Sequence, residues 1–223
     1  MRAGTSDSPG RGRVMALLAG AVLVVIGFAL GVVFDRSIGR DDGAASRASS
    51  VDVGFLQDMT VHHNQAIEMS AAVLTTTEDA AVRNLAFDIL TAQENQVGQM
   101  SGWLQMWEEP LLPLNGHMAW MDDHAHMDHM DHTADGGVMP GMASSAEMAE
   151  LRAASGSERD VLFLQLMLRH HEGGIPMMEY AIDHGDEGVV RNISRSMLEG
   201  QNKEIALITD MLNERNAEPL PMN

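Results

Sequence analysis

The chain contains the same helical pattern twice, and this internal repeat constrains its fold more than any other feature. The first copy reads Phe-Leu-Gln-Asp-Met-Thr-Val-His-His over 55–63, and the second reads Phe-Leu-Gln-Leu-Met-Leu-Arg-His-His over 163–171, at an offset of 108 residues. The same offset aligns Leu104 with Leu212, and no gap intervenes. A register kept over about fifty residues predicts two structurally equivalent units.

Helical periodicity runs through both copies, because apolar residues recur three and four positions apart. We expect four long helices, with Ser50 as the first cap and bounds near Ser50 and Thr75, Glu78 and Pro110, Ser157, and Glu187 and Asn213. A shorter helix should begin at a capping box over 144–147 and end near Gly156. No segment alternates as a strand. The expected fold is therefore all-α, an antiparallel four-helix bundle over residues 51–215 made of two repeated hairpins.

The third long helix contains residues that disfavour a straight helix. Gly173 and Gly174 are adjacent, and Pro176 follows two positions later. Proline has no amide hydrogen and its ring collides with the preceding turn, so we expect a kink here.

The N-terminal segment has the composition of a membrane anchor. No residue from 14 to 34 is charged, and a helix of this length spans the roughly 30 Å hydrocarbon core of a bilayer. Three arginines precede the segment, which places the N-terminus in the cytoplasm by the positive-inside rule. We therefore expect a cytoplasmic tail at 1–13, a single transmembrane signal anchor at 14–34, a small polar linker at 35–50 and an extracytoplasmic domain. Cleavage of the signal is the alternative.

Charge and cysteine content exclude several classes of function. The net charge is −18, from 14 basic and 32 acidic residues, and no basic stripe indicates a nucleic-acid partner. The absence of cysteine excludes disulfides, thiolate metal sites and cysteine nucleophiles. The sequence has no Glu-x-x-His pair, His-Glu-x-x-His motif, nucleophile elbow, phosphate loop or dinucleotide fingerprint, so we expect that the protein is not an enzyme.

Each copy of the repeat places imidazoles and thioethers on one face of a helix. Met59, His62 and Met69 share a face, and His63 lies at its edge, because a helix turns about 3.6 residues per revolution. A single buried Met or His is more often structural, whereas a His pair repeated with its preceding Met favours metal binding. The candidate ligands of the bundle are Met59, His62, His63, Met69, Met167, His170, His171 and Met177.

The segment between the hairpins, 113–143, holds five of the ten histidines, interleaved with Met and Asp. Its candidate ligands are His117, Met118, Met121, His124, His126, Met127, His129, Met130 and His132. Tracts rich in His are typical of metal capture. Thioethers favour Cu(I) and Ag(I) while imidazoles suit Cu(II), so the mixture indicates copper, with silver as a second ion. A solvated acidic linker is the alternative.

Three phrases together resemble a known family. They are the repeated Met-x-x-His-His element, Glu-Met-Ala-Glu-Leu-Arg-Ala-Ala-Ser-Gly over 147–156, and Phe-Leu-Gln-Leu-Met-Leu-Arg-His-His-Glu-Gly-Gly over 163–174. The family is the domain-of-unknown-function family numbered three hundred and five, and the resemblance covers about residues 50–215. It implies a ferritin-like bundle. Relatives include periplasmic copper-binding proteins involved in copper resistance, so it also implies that the repeated Met and His residues bind copper, and sometimes silver.

These features together predict a membrane-anchored extracytoplasmic protein that sequesters or shuttles copper. The bundle would supply ordered sites and the loop a weaker, exchangeable collecting arm. The expected partners are metal ions, the membrane, and a second copy in a homodimer or a copper-delivery protein. The alternative is an interaction or assembly module whose Met-rich faces dock a partner helix and whose histidines are structural. A redox enzyme acting on the bound metal is a weaker third hypothesis.

Overall fold

The computed structural model describes residues 48–114, 116–121 and 139–223. Five α-helices and no strand occur in these ranges, so the expected all-α class is confirmed. The helices are α1 (Ser50–Leu74), α2 (Ala80–Met106), α3 (Ser145–Ala153), α4 (Gly156–His184) and α5 (Gly188–Glu214). The expected transmembrane anchor at 14–34 lies outside the described residues. Among the residues that are described, no helix is both long enough and apolar enough to cross a bilayer.

The helix starts follow from local capping. Ser49, not the expected Ser50, caps α1: its hydroxyl accepts the Asp52 amide hydrogen at 3.1 Å, and the Asp52 carboxylate accepts the Ser49 amide hydrogen at 2.9 Å. The expected capping box at the start of α3 is confirmed, with the amide of Ser144 donating to the Glu147 carboxylate at 2.7 Å. Reciprocal bonds of this kind satisfy amide hydrogens that have no partner within the helix.

α4 is one continuous helix from Gly156 to His184, and Pro176 lies inside it. Because helical register is kept through the proline, Met177 stays on the buried side of the helix. The neighbouring Gly173 has a different role: a Cβ there would collide with the carbonyl group of Pro140. The glycine thus lets the chain just before α3 pass directly over α4.

The four long helices form two hairpins. α1 packs along α2, α4 packs along α5, and the hairpins meet through α1 and α4, with the short α3 against both of these. Equivalent bonds close the two hairpins: Gln57 donates to the carbonyl oxygen of Pro110, and Gln165 donates to that of Glu218, each at 2.6 Å. The sequence repeat is therefore a repeat of structure.

Two apolar clusters form the core, and each contains a segment of every long helix. The first contains Ala66, Met69, Val73, Val82, Leu85, Ala86, Ile89, Leu164, Met167, Ile208 and Leu212, among others. The second contains Phe55, Met59, Met100, Leu104, Met177, Met178, Ala181, Val190 and Met197, among others. The N-terminal half of α1 joins the C-terminal half of α4, so these helices are antiparallel. On every long helix buried polar residues separate the two clusters: three each on α1 and α4, and one each on α2 and α5.

Candidate metal site

Six of the buried polar residues between the clusters form a polar layer that contains both histidine pairs of the repeat. All four imidazoles have 0% exposure, and the two glutamines are 3% and 4% exposed. The members of the polar layer are His62, His63, Gln93, His170, His171 and Gln201. Four neutral or cationic rings at the centre of a small bundle would be costly without a compensating role, because buried polar groups are ordinarily paired.

His62 and His170 stack at the contact between α1 and α4. Their ring centroids are 3.8 Å apart and the ring planes are tilted by 34°. Nε2 of His170 donates to the main-chain oxygen of His62 at 2.9 Å, and Nε2 of His62 donates to the main-chain oxygen of Pro140 at 3.2 Å. A carbonyl oxygen only accepts, so both rings carry hydrogen on Nε2 and leave Nδ1 as the basic nitrogen when neutral.

His63 on α1 and His171 on α4 are directed toward the second helix of their own hairpin, α2 and α5 respectively. Nε2 of His63 donates to Oε1 of Gln96 at 2.8 Å, and Nε2 of His171 donates to Oε2 of Glu204 at 2.6 Å. The partners occupy equivalent positions, since each lies 33 residues after its histidine. The second pair of rings therefore has the same tautomer as the first.

The Nδ1 atoms of all four imidazoles are buried, and none has a hydrogen-bond partner within the part of the chain that the structure describes. An unsatisfied buried polar atom costs about 1–3 kcal/mol. In metal sites an imidazole commonly binds the ion through one nitrogen while the other nitrogen donates a hydrogen bond that fixes the ring. In each of these four rings Nε2 already donates a hydrogen bond that fixes the ring. The nitrogen whose lone pair remains available to an ion is therefore Nδ1.

Burial keeps three of these rings, His62, His63 and His170, in the neutral form that binds metal, because it lowers the pKa of each. Desolvation lowers the pKa of His62 to about 4 and, with the nearby His62 ring, that of His63 to about 3. The pKa of His170 lies well below its usual value because of burial and the neighbouring imidazoles. A proton therefore does not compete for these nitrogens near neutral pH.

The four candidate methionines of the bundle have 0% exposure and lie on either side of the polar layer. Met59 and Met177 pack in one cluster, and Met69 and Met167 in the other. In the ranges covered by the structure, no three His, Asp or Glu side chains are grouped to hold an ion. Metal binding here would therefore combine imidazole with thioether donors, a set suited to soft ions.

The two buried glutamines were not predicted as site residues. Both side-chain amide atoms of Gln93 and of Gln201 have no partner among the described residues. A Cβ on Gly174 would lie 3.3 Å from both Oε1 of Gln201 and Cε1 of His62. Gln201 and His62 therefore both border Gly174 of α4. The signal that could have found these residues is a polar side chain kept on the buried face in both copies of the repeat.

His117, predicted as a loop ligand, contacts a buried carboxylate through its Nδ1. Its Nδ1 donates to Oδ1 of Asp58 at 2.6 Å, while the amide of Met118 and Nε1 of Trp120 donate to Oδ2 at 2.7 and 2.8 Å. Met118 and Met121 pack against the second cluster. Asp58 was missed by the sequence reasoning, although Leu166 occupies the equivalent position of the second copy.

The other loop candidates, His124, His126, Met127, His129, Met130 and His132, lie outside the described residues. The chain on both sides of them is attached to α1. Asp58 holds the preceding residues, and Gln65 exchanges two hydrogen bonds with the main chain of Ala143, at 2.6 and 2.8 Å, after them.

A groove of about 630 Å³ runs between α2 and α5. Polar residues of both helices line it, and Gln96 is one of them. Gln96 also accepts a hydrogen bond from His63, so this side chain contacts both the groove and the polar layer.

The model of the family "Domain of unknown function (DUF305)" matches residues 52–212. A DUF305 protein of Streptomyces coelicolor, described as a candidate secreted protein, is 41% identical, with 77% of this chain and 97% of that chain covered and a TM-score of 0.68. An uncharacterized protein of Acanthamoeba polyphaga mimivirus is 36% identical over 53 residues, which are 24% of this chain and 35% of that relative.

CopM has the same fold at lower identity. In its Cu(I)-bound form it is 21% identical, with 73% of this chain and 96% of that chain covered and a TM-score of 0.54. CopM has also been solved in Cu(II)-bound, silver-bound and apo forms. The family match and the Streptomyces coelicolor structure both span most of the described residues, and the chain belongs to the DUF305 family.

Proposed function

We propose that this protein binds copper, and silver in the same site, through the imidazoles of the polar layer and the methionines beside it. The observation that carries the proposal is the set of four buried Nδ1 atoms that have no partner in the described ranges, while each Nε2 is already bonded. A cation at these lone pairs would offset the cost of burying them.

The donor chemistry favours copper over the other divalent ions. Thioethers are soft ligands that suit Cu(I) and Ag(I), while neutral imidazole binds copper in both oxidation states. A site made only for zinc would not need four buried methionines around it. The ions found in the CopM structures, Cu(I), Cu(II) and silver, agree with this selection, and CopM shares the fold.

We place this activity outside the cytoplasmic membrane. The uncharged segment 14–34 would anchor the chain, and a relative of 41% identity is described as a candidate secreted protein. Anchored there, the bundle would sequester copper or pass it on, and the His, Met and Asp residues of 122–132 would collect ions for it. We propose binding and transfer without catalysis.

The alternative of a partner-docking module requires exposed methionine faces. Met59, Met69, Met167 and Met177 are fully buried inside this chain's own bundle, so none of these thioethers is available to a partner helix.

The test is a competition titration of the full chain, in detergent, with Ag(I) and with Cu(I). We expect binding that withstands a competing chelator in the wild type and is strongly weakened in His63→Gln/His171→Gln. Glutamine keeps a donor near the Nε2 position but has no imine nitrogen. His184→Gln is the matched control, because His184 is exposed and stacks on Tyr180 with ring centroids 4.2 Å apart. Wild-type binding no tighter than that of the buffer would refute the proposal.

A further inference from the structure

The polar layer has one half on each hairpin: the His63 half on α1 and α2, and the His171 half on α4 and α5. We propose that these halves are chemically unequal and that Glu204 makes the His171 half the preferred site for the divalent ion, Cu(II). The His63 half, supported by Gln96, then suits monovalent ions. This inference rests on the copper binding proposed above, and it names Glu204 as a positioning residue that acts through His171.

The first step is that the two halves have the same geometry. In each, Nε2 donates to a side-chain oxygen on the second helix of its own hairpin, 33 residues further on, at 2.8 Å for His63 and 2.6 Å for His171. The bonds made by Gln57 and Gln165 at the hairpin ends are duplicated in the same way. The local frames are therefore equivalent, and the partner's chemistry is what differs.

The second step is that the partner's charge differs. Gln96 offers a neutral amide oxygen, whereas Glu204 offers a carboxylate whose side chain is 25% exposed beside a fully buried imidazole. A carboxylate that accepts from the far nitrogen of a ligating imidazole raises the basicity of the ring and fixes its orientation.

The third step concerns the charge of the ion. The attraction between an ion and a fixed negative charge is proportional to the ion's charge, so Cu(II) gains about twice as much from Glu204 as Ag(I) or Cu(I) does. The cost of removing a dication from water is also larger, which makes a nearby countercharge more necessary. Replacing the carboxylate should therefore weaken binding of Cu(II) more than that of Ag(I).

The experiment compares four full-length proteins in detergent: the wild type, Glu204→Gln, Gln96→Glu, and the double exchange Gln96→Glu/Glu204→Gln. Dissociation constants for Cu(II), without reductant, and for Ag(I) are measured by competition, and the Cu(II) electron paramagnetic resonance spectrum is recorded. Glutamine keeps the hydrogen-bond acceptor for His171. The double exchange moves the carboxylate to the other half and keeps the total charge.

We expect Glu204→Gln to weaken Cu(II) binding about 10- to 100-fold, with a clearly smaller change for Ag(I). Gln96→Glu should tighten Cu(II) binding. The double exchange should recover most of the wild-type Cu(II) affinity. If Glu204→Gln fails to fold, Gln96→Glu still tests the inference, because it leaves Glu204 in place. The Cu(II) spectrum should change in Glu204→Gln, which a purely structural role of Glu204 would not cause in a folded protein.

Equal weakening of both ions in Glu204→Gln, or unchanged affinity for both, overturns the inference and leaves the proposed copper binding intact. Failure of the wild type to bind either ion overturns the proposed function, and the inference with it.

Discussion

Nε2 of His170 donates to the main-chain oxygen of His62 at 2.9 Å, and the two rings stack with centroids 3.8 Å apart. These residues are equivalent positions of the two repeats, 108 residues apart in sequence. The contact thus places the two copies of the histidine pair at the centre of the interface between hairpins. An ion bound there would link both hairpins, so metal binding and bundle stability should be coupled.

The first prediction concerns the stability of the metal-free protein as a function of pH. His62, His63 and His170 have folded pKa values below 6.5, the value expected in the unfolded chain, chiefly because of burial. As the pH falls below about 6.5, the unfolded state takes up protons that the folded state does not. The free energy of unfolding should then fall, by up to about 1.4 kcal/mol per pH unit for each such ring.

Chemical denaturation between pH 7.5 and 5 measures this dependence. The range avoids the titration of Glu147, whose pKa is held at about 2 by the hydrogen bond from Arg169. His63→Gln should show a shallower slope below pH 6.5, because it lacks one of the rings. A free energy of unfolding that is constant over this range would mean that the three rings are not buried as neutral groups.

The second prediction tests the close approach of Pro140 to α4. Gly173→Ala would place a Cβ against the carbonyl group of Pro140, which accepts from His62. Relieving this collision requires movement of backbone, so we expect a loss of about 1–3 kcal/mol in the free energy of unfolding. Weaker Ag(I) binding should accompany the loss, because the ring of His62 loses its fixed orientation.

Gly98→Ala is the matched control for this substitution. Gly98 lies in α2, and no described atom outside its own helical turn comes within 4 Å of a Cβ built there. Alanine should therefore stabilise the protein by up to about 1 kcal/mol, through helix propensity. Equal effects of the two substitutions would contradict the close packing of Pro140 on α4.

The sequence repeat was enough to predict the all-α fold, the two hairpins and the helical face that Met59, His62 and Met69 share. Each of these depends on local periodicity and on the equivalence of two copies. The cap of α1 was misplaced by one residue, since Ser49 and Ser50 are both good caps and the choice depends on which serine faces Asp52.

The roles of individual nitrogens could not be predicted, because they depend on how the helices are rotated against each other. Gln96 and Glu204 lie 33 residues from the rings they bind, and Pro140 lies 78 residues from His62. Asp58 is the opposite case. Asp58 and Leu166 occupy equivalent positions of the two copies but differ in polarity. This difference is visible in the sequence, and it marks a buried carboxylate that has partners of its own.

The third prediction concerns that carboxylate. Asp58→Asn replaces an acceptor of three hydrogen bonds with an amide that has only one acceptor oxygen, so donors from His117, Met118 and Trp120 cannot all be satisfied. We expect a loss of about 3 kcal/mol in the free energy of unfolding and a change in Trp fluorescence. Asp88→Asn, at an exposed position of α2, should have little effect. Equal stability of the two variants would show that Asp58 does not hold this segment.

The fourth prediction separates the packing role of the methionines from their role as ligands. Leucine has nearly the volume of methionine but has no sulfur, so Met59→Leu/Met177→Leu should keep the free energy of unfolding of the metal-free protein within about 1.5 kcal/mol per site. Both residues pack in the second cluster beside the polar layer. Ag(I) affinity should nevertheless fall at least tenfold, and the increase in Tm on adding Ag(I) should shrink accordingly, because that increase depends on the dissociation constant.

Met100→Leu is the control, because Met100 is fully buried in the same cluster but is not one of the repeated Met and His positions. It should leave the Ag(I) affinity within about twofold of the wild type, since volume-conserving substitutions perturb a core only slightly. If the double variant retains wild-type Ag(I) affinity, the repeated methionines only fill the core and the imidazoles alone would have to bind the ion. If Met100→Leu weakens Ag(I) binding as much as the double variant does, the loss reflects packing of the cluster, because both changes would then act through the same repacked core.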